Sequence, residues 1–196
     1  MAAARKVFSD RGFTKATMEE IAKEAEFSPG TLYLYFKNKD ELSASLSIDM
    51  LKFLNRRVTA MNADVSLTPL RKIRELKKIL LDAYEDDPVI FTHMVHLQAS
   101  ERVKEVSPEV FSKIHEPLKS FLIAMAHIFE EGIRSGLFMD VHPIALAEII
   151  WSMFTGIVLF EASKRIVNPN KDFLKQNMAA AFDMINRGIA CTESKS

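Results

Sequence analysis

His93 and His96 stand three residues apart, a spacing that puts two imidazoles on one face of a helix and within reach of one metal ion. A divalent metal wants three or four ligands. Neither His115, His127 nor the single cysteine, Cys191, can be placed beside the pair from the sequence. No bound metal and no cofactor is therefore expected. Signatures of covalent or hydrolytic catalysis are missing as well: the six glycines form no phosphate-cradling loop, and neither Gly-x-Ser-x-Gly nor His-Glu-x-x-His occurs. Glu85-Asp86-Asp87 reads as a solvated helix end whose last residue caps the next helix, and Glu130-Glu131 reads as surface. No enzyme is expected. What remains is binding chemistry, carried by hydroxyls, amines and apolar surfaces that helices must hold in place.

Those helices are announced by their first residues. Thr17-Met-Glu-Glu20 and Asn38-Lys-Asp-Glu41 have capping-box form, in which a polar side chain takes the third helical amide and a Glu reaches back to the cap. Ser28-Pro29, Thr68-Pro69, Asp87-Pro88 and Ser107-Pro108 pair a polar cap with proline at the first helical position, where the missing amide had no partner anyway. Gly12 and Gly136 suit helix C-caps. These marks predict an all-α fold of about nine helices. The first ends near Arg11, and the next run from Met18 to about Ala25, Pro29 to about Phe36 and Lys39 to about Met61. Then come Pro69 to Asp86, Pro88 to about Lys104, Pro108 to about Gly136, Pro143 to Ile166 and Lys171 to Ala190. Pro117 must break, kink or restart the seventh. Leu174, Met178, Ala181, Ile185 and Ile189 form a continuous stripe along the last.

Composition narrows the class. Of 196 residues, 48% are apolar and 27% charged, which excludes a disordered chain, while 10 Met and 14 Phe against only six Gly favour helices with thick cores. Lys+Arg and Asp+Glu balance at 26 each, so net charge alone points to no partner. The first 62 residues do hold ten basic against eight acidic side chains, the sign of a nucleic-acid-binding front end, though weakly. A lone cysteine makes no internal disulfide, and no charged segment followed by an apolar run opens the chain, so a reduced, cytoplasmic protein is expected. Val141 to Phe160 is apolar enough to suggest a membrane, but His142, Pro143, Glu148 and several small residues interrupt it. It reads instead as a buried helix in a core or an interface, and no membrane partner is expected.

At the front, Val7 and Phe8, Ile21, Ala22 and Ala25, and Leu32, Tyr33 and Phe36 can close a small core in which two short helices cross over a tight turn. That is helix-turn-helix geometry, with the second helix bracing and the third entering the major groove. The stretch from Ala3 to Ala25 and its continuation from Ser28 to Leu42 (Ser-Pro-Gly-Thr-Leu-Tyr-Leu-Tyr-Phe-Lys-Asn-Lys-Asp-Glu-Leu) resemble the TetR family of bacterial transcriptional regulators, a dozen positions agreeing in type and spacing. The resemblance covers about the first quarter of the chain. It implies a helix-turn-helix DNA-binding domain over residues 1–45 and a helical effector-binding and dimerisation domain over residues 46–196.

What the resemblance implies for single residues agrees with their chemistry. Thr17 caps the second helix and offers a phosphate its hydroxyl and amides. Ser28, Pro29, Gly30, Thr31 and Leu32 open the third helix, whose first residues face base edges in this motif. Leu32 packs more readily than it reads bases, and Tyr33 divides between core and phosphate. Tyr35 has a hydroxyl suited to phosphate; Lys39 joins its charge to a helix N-terminus, and Lys15 and Lys37 add to it, although Lys37 also reads as a solvated charge. Three lysines from each of two subunits would neutralise about six phosphates and give a salt slope of roughly −5. A dimer whose recognition helices lie about 34 Å apart would then read a palindromic operator. Two departures stand out. Family members usually have glycine where this chain has Glu26, at a left-handed turn, and they commonly carry a basic arm ahead of the first helix, whereas this chain starts almost inside that helix.

The remaining helices have two implied tasks. Trp151, Phe154, Phe160, Phe173 and Phe182 alternate with small residues in the last two helices, a mix that lets two helices from each subunit pack as a homodimer interface. Tyr84, Phe91, Met94, Gln98, Phe121, Met125 and Trp151 are the candidate contacts of a small-molecule effector, a pocket inferred from the family, since such residues equally fill an ordinary core. A ligand-responsive repressor that binds double-stranded operator DNA is the expected function. A helical ligand-binding or enzymatic protein whose front end no longer binds DNA, and a DNA-binding protein without effector, remain as alternatives.

Overall fold

The computed structural model describes residues 1–99, 107–168, 170 and 172–191, and these form nine helices. They are α1 Ala2–Arg11, α2 Met18–Glu24, α3 Pro29–Tyr33, α4 Lys39–Ala63, α5 Pro69–Asp86, α6 Pro88–Ala99, α7 Pro108–Arg134, α8 Pro143–Val167 and α9 Leu174–Ile189. Among the described residues the one β feature is an isolated antiparallel bridge between Phe138 and Ala190. The fold is all-α.

All six predicted caps are made. Thr17 and Ser28 accept from the amides of Glu20 and Thr31, and Asn38 from that of Glu41 at 2.9 Å. Thr68, Asp87 and Ser107 accept from Arg71, Ile90 and Val110 in the same way. At Thr17 the box is reciprocal, Glu20 accepting from the Thr17 amide at 3.1 Å. At Asn38 the returning carboxylate reaches one residue further, Glu41 accepting from the Lys37 amide at 2.7 Å. Each cap satisfies donors that a helix start leaves without a partner, worth about 1 kcal/mol apiece.

Helix ends depart more from expectation. α3 stops at Tyr33 instead of Phe36, because its last amides share carbonyls three and four residues back as the chain tightens toward the Asn38 cap. α7 runs unbroken through Pro117, and the missing amide bond is offset by a buried stripe of Phe121, Met125, Ile128 and Phe129. The expected extension of α6 to Lys104 lies outside the described residues. α9 begins at Leu174 and not near Lys171, because Phe173 takes the cap position and Asp172 accepts from the Leu174 amide at 3.0 Å. Its stripe is buried at Leu174, Met178, Ala181 and Ile189 and half-buried at Ile185.

The chain divides into two compact units: Met1–Lys52 with Ala83–Pro117, and Phe53–Asp82 with Leu118–Ser196. The first unit thus takes in α6 as well as the front helices. Its core is built on Phe8, Ile21, Ala22, Leu32, Leu42 and Leu46, with Phe8 fully out of water and worth about 2–3 kcal/mol by burial alone. α1 is tied to α6 by Arg5, which pairs with the Asp87 cap.

In the second unit Phe121, Phe129, Phe138, Phe154, Met178 and Phe182 fill the interior. Lys72, though almost wholly buried, donates to Glu131 at 2.6 Å and to the Asn62 carbonyl. Glu161 on α8 is fully buried and holds α9 through the Asn177 amide at 2.6 Å and the Phe173 backbone at 3.4 Å, with Lys164 as its counter-charge. Burial pushes this carboxyl up, but the hydrogen bonds from Lys164, Phe173 and Asn177 together with the lysine charge outweigh it, and the net shift is downward. α8 is long and apolar enough to cross a membrane by length and composition; 39% of its apolar window is buried, on the face carrying Glu161.

Candidate nucleic-acid interface

Two short helices and the turn between them make the site. The turn is a Schellman motif: the Phe27 amide donates to the Ala22 carbonyl at 2.9 Å and the Glu26 amide to the Lys23 carbonyl at 3.1 Å. Glu26 sits at the left-handed position with φ 58°, the one non-glycine residue with positive φ among the described residues. The turn therefore keeps its shape without glycine, at about 1 kcal/mol of strain.

α3 projects from that turn. Ser28 Oγ accepts from the Thr31 amide at 3.1 Å and shares a hydrogen bond with Thr31 Oγ1 at 2.9 Å. Ser28, Pro29 and Gly30 are exposed and Thr31 is half-exposed, so the start of the helix is open to solvent. Leu32 turns inward and is core, so it anchors the helix and does not share that open face. Tyr33 is exposed and donates to Glu19 at 3.3 Å; partial burial, then the neighbouring carboxylate, raise its phenol and keep the proton on. Tyr35 is three-quarters exposed, and Leu34 beside it is 83% exposed, a feature the reading of core stripes passed over although its place two residues from Leu32 turns it away from the core. Phe27 is also exposed.

Around this helix the charges are mostly committed. Thr17 uses its amide and one lone pair in the capping box but keeps its hydroxyl proton, and the first amides of α2 have no intrahelical acceptor. Lys15 and Lys37 are exposed. Lys39 differs from expectation. Its ammonium donates to the carbonyls of Phe13, Thr14 and Ala16 at 2.9, 2.9 and 3.1 Å, which uses all three of its protons, and it lies 4.8 Å from the Phe13 ring centre. It clamps the loop before α2. The acidic side chains of α2 are paired too, Glu24 with Lys6 at 2.5 Å and Glu20 with Arg11 at 3.1 Å. His93 is engaged within the same unit by Ser43 at 2.8 Å, Asp40 at 3.3 Å and the stacked ring of Phe13. His96 is exposed, and no group of three metal-ligating side chains occurs among the described residues.

The candidate effector contacts fall in both units. In the first, Tyr84 and Phe91 meet edge to face at 5.7 Å and are buried with Met94, while Gln98 is exposed. In the second, Phe121 meets Trp151 edge to face at 5.4 Å, and both are buried with Met125.

Residues 1–46 match the family model for bacterial regulatory proteins of the tetR family. Over that front quarter the chain is similar to the tetR family. The relatives it matches over most of its length are transcriptional regulators. The fatty acid metabolism regulator protein of Bacillus subtilis is 26% identical over 188 residues, 95% of this chain and 92% of the relative. The transcriptional repressor DhaR of a Mycobacterium species is 20% identical over 91% of this chain and 86% of its own length. Among solved structures, the TetR-family repressor FadR of Thermus thermophilus, in complex with lauroyl-CoA, superposes with a TM-score of 0.72 at 21% identity, over 100% of this chain and 95% of that one. PfmR from the same organism gives 0.72 at 20% identity over 94% and 95%. At this identity both structures speak to the fold, and the fold agrees.

Proposed function

We propose that this chain is a TetR-family regulator, a cytoplasmic repressor that binds a palindromic operator as a homodimer and is released by a small apolar or amphipathic effector. The observation that carries the reading is α3, a helix capped by Ser28 and anchored by Leu32, with Pro29, Gly30, Thr31, Tyr33 and Tyr35 left open around it. Residues 1–45 would form the DNA-binding domain and residues 46–196 the effector-binding and dimerisation domain. Lys15, Lys37, Thr17 and the N-termini of α2 and α4 would hold phosphates, with Lys39 fixing the loop that aims them.

Dimerisation through α8 and α9 is supported by the faces these helices expose: Ile149, Gly156 and Phe160 on one, Ala180, Met184 and Gly188 on the other. A Cβ at Gly156 or Gly188 would meet nothing within 4 Å, so packing inside this chain gives no reason for glycine, whereas close approach of a partner helix does. Tyr84, Phe91, Met94, Gln98, Phe121, Met125 and Trp151 remain the proposed effector contacts. The fatty-acid regulators among the relatives favour an effector with an acyl chain.

The test is a mobility shift against DNA upstream of the protein's own gene, with Tyr35→Ala as control and lauroyl-CoA as the first effector probe. Tight binding lost in the variant and weakened 100-fold by the probe is expected, which requires the effector to discriminate between states by about 2.7 kcal/mol. Binding no tighter than to random duplex would end the reading.

A further inference from the structure

We propose that Leu34 reads a thymine, its side chain lying against the C5 methyl group in the major groove. The inference rests on α3 being the DNA-facing helix and adds the base that helix selects. Leu34 is 83% exposed, the most exposed large apolar side chain in residues 1–52. It follows α3 directly, and its amide donates to the carbonyls of Gly30 and Thr31 at 3.3 Å, so it lies one turn below the open start of the helix and on the same side. Leu32, two residues before it, is core and Phe36, two residues after it, is half-buried, whereas Leu34 between them stands in solvent.

The neighbouring groups are suited to a close, apolar approach. Gly30 is exposed, and a Cβ there would meet only Ser28 Oγ at 3.9 Å, so the glycine leaves room that nothing in this chain occupies. The hydroxyls that precede it are engaged, Thr31 with Ser28 and Tyr33 with Glu19, while Tyr35 after it stays open. Leu34 is the most exposed aliphatic tip on this face. In the major groove the thymine methyl is the only apolar group among the base edges, and a cytosine or uracil in its place presents none.

The experiment uses the full chain and duplexes it selects from a random-sequence pool. Each thymine of the selected site is replaced by uracil, symmetrically in both halves, and binding of the unaltered protein and of Leu34→Ala is measured by fluorescence anisotropy. At one position uracil should weaken the unaltered protein about fourfold per half-site, the equivalent of one buried methyl at about 0.8 kcal/mol. Leu34→Ala should bind both duplexes equally and select sites relaxed at that position, with an unchanged melting curve because the side chain is exposed. Insensitivity of the unaltered protein to uracil at every position overturns the proposal, as does an equal loss in both proteins. If no duplex is preferred at all, the DNA reading itself has failed and this inference falls with it.

Discussion

Lys39→Met separates two ways in which a lysine at a helix start can serve a DNA-binding head. The ammonium makes three charge-assisted hydrogen bonds, to Phe13, Thr14 and Ala16, and stands over the Phe13 ring. Each such bond is worth about 1.5–3 kcal/mol when isolated. The three share one partly exposed donor and one loop, so their sum is smaller, about 2–3 kcal/mol. In a chain of this size that lowers the melting temperature by roughly 4–12 °C. Methionine keeps the length of the side chain, so the loss is that of the charge and its donors. A phosphate-binding lysine makes the opposite forecast: stability holds, while the slope of log K against log salt becomes shallower by about 0.9 per subunit. With the clamp in place, Lys15 and Lys37 supply the exposed charge, and a dimer should show a slope near −4 that Lys39→Met leaves unchanged. Calorimetry together with a salt titration of anisotropy on a selected duplex reads both quantities. An unchanged melting temperature with a slope shallower by about two for the dimer would refute the clamp.

Two further outcomes follow from the interior of the second unit. Gly132→Ala places a Cβ 1.9 Å from the buried ring of Phe138, which cannot shift without disturbing the Phe138–Ala190 bridge; a loss of about 2–3 kcal/mol in urea denaturation is expected, partly restored by Phe138→Leu, and an unchanged midpoint would contradict the packing. Glu161 has a carboxyl held below its ordinary value, so its stabilisation is complete above the unfolded value of about 4.3 and is lost as pH falls through the folded one. Glu161→Gln should therefore be less stable than the unaltered chain at pH 7, with the gap closing below about pH 4; a gap constant across that range would contradict the assignment.

Caps and cores were legible because their chemistry is local. A Ser-Pro pair or a Thr-x-x-Glu declares its own helix start, and all six predicted caps are made. The strained turn was legible for the same reason: a charged residue stood where the resemblance expects glycine, and Glu26 does adopt the left-handed conformation. The clamp made by Lys39 was not legible because its acceptors are backbone carbonyls 23 to 26 residues away, and a carbonyl has no signature in a sequence. His93 was opaque in the same way, since Ser43 lies 50 positions off. The effector contacts could not be told from filler, because a buried Phe or Met has one appearance whether it lines a cavity or closes a core.

The carboxylates of α2 bear on how such a protein would find its target in a genome. Glu19, Glu20 and Glu24 outnumber Lys23 on the bracing helix, and Glu20 and Glu24 neutralise Arg11 and Lys6 of α1. With these charges paired, counterion release on an arbitrary stretch of duplex would fall mainly to Lys15 and Lys37, and bulk chromosome would hold the protein less tightly than it would a face of unpaired cations. Little of the population is then sequestered on irrelevant sequence. Selectivity is gained by weakening the wrong encounters, and the few contacts beside Leu34 and Tyr35 need not outcompete a large electrostatic background.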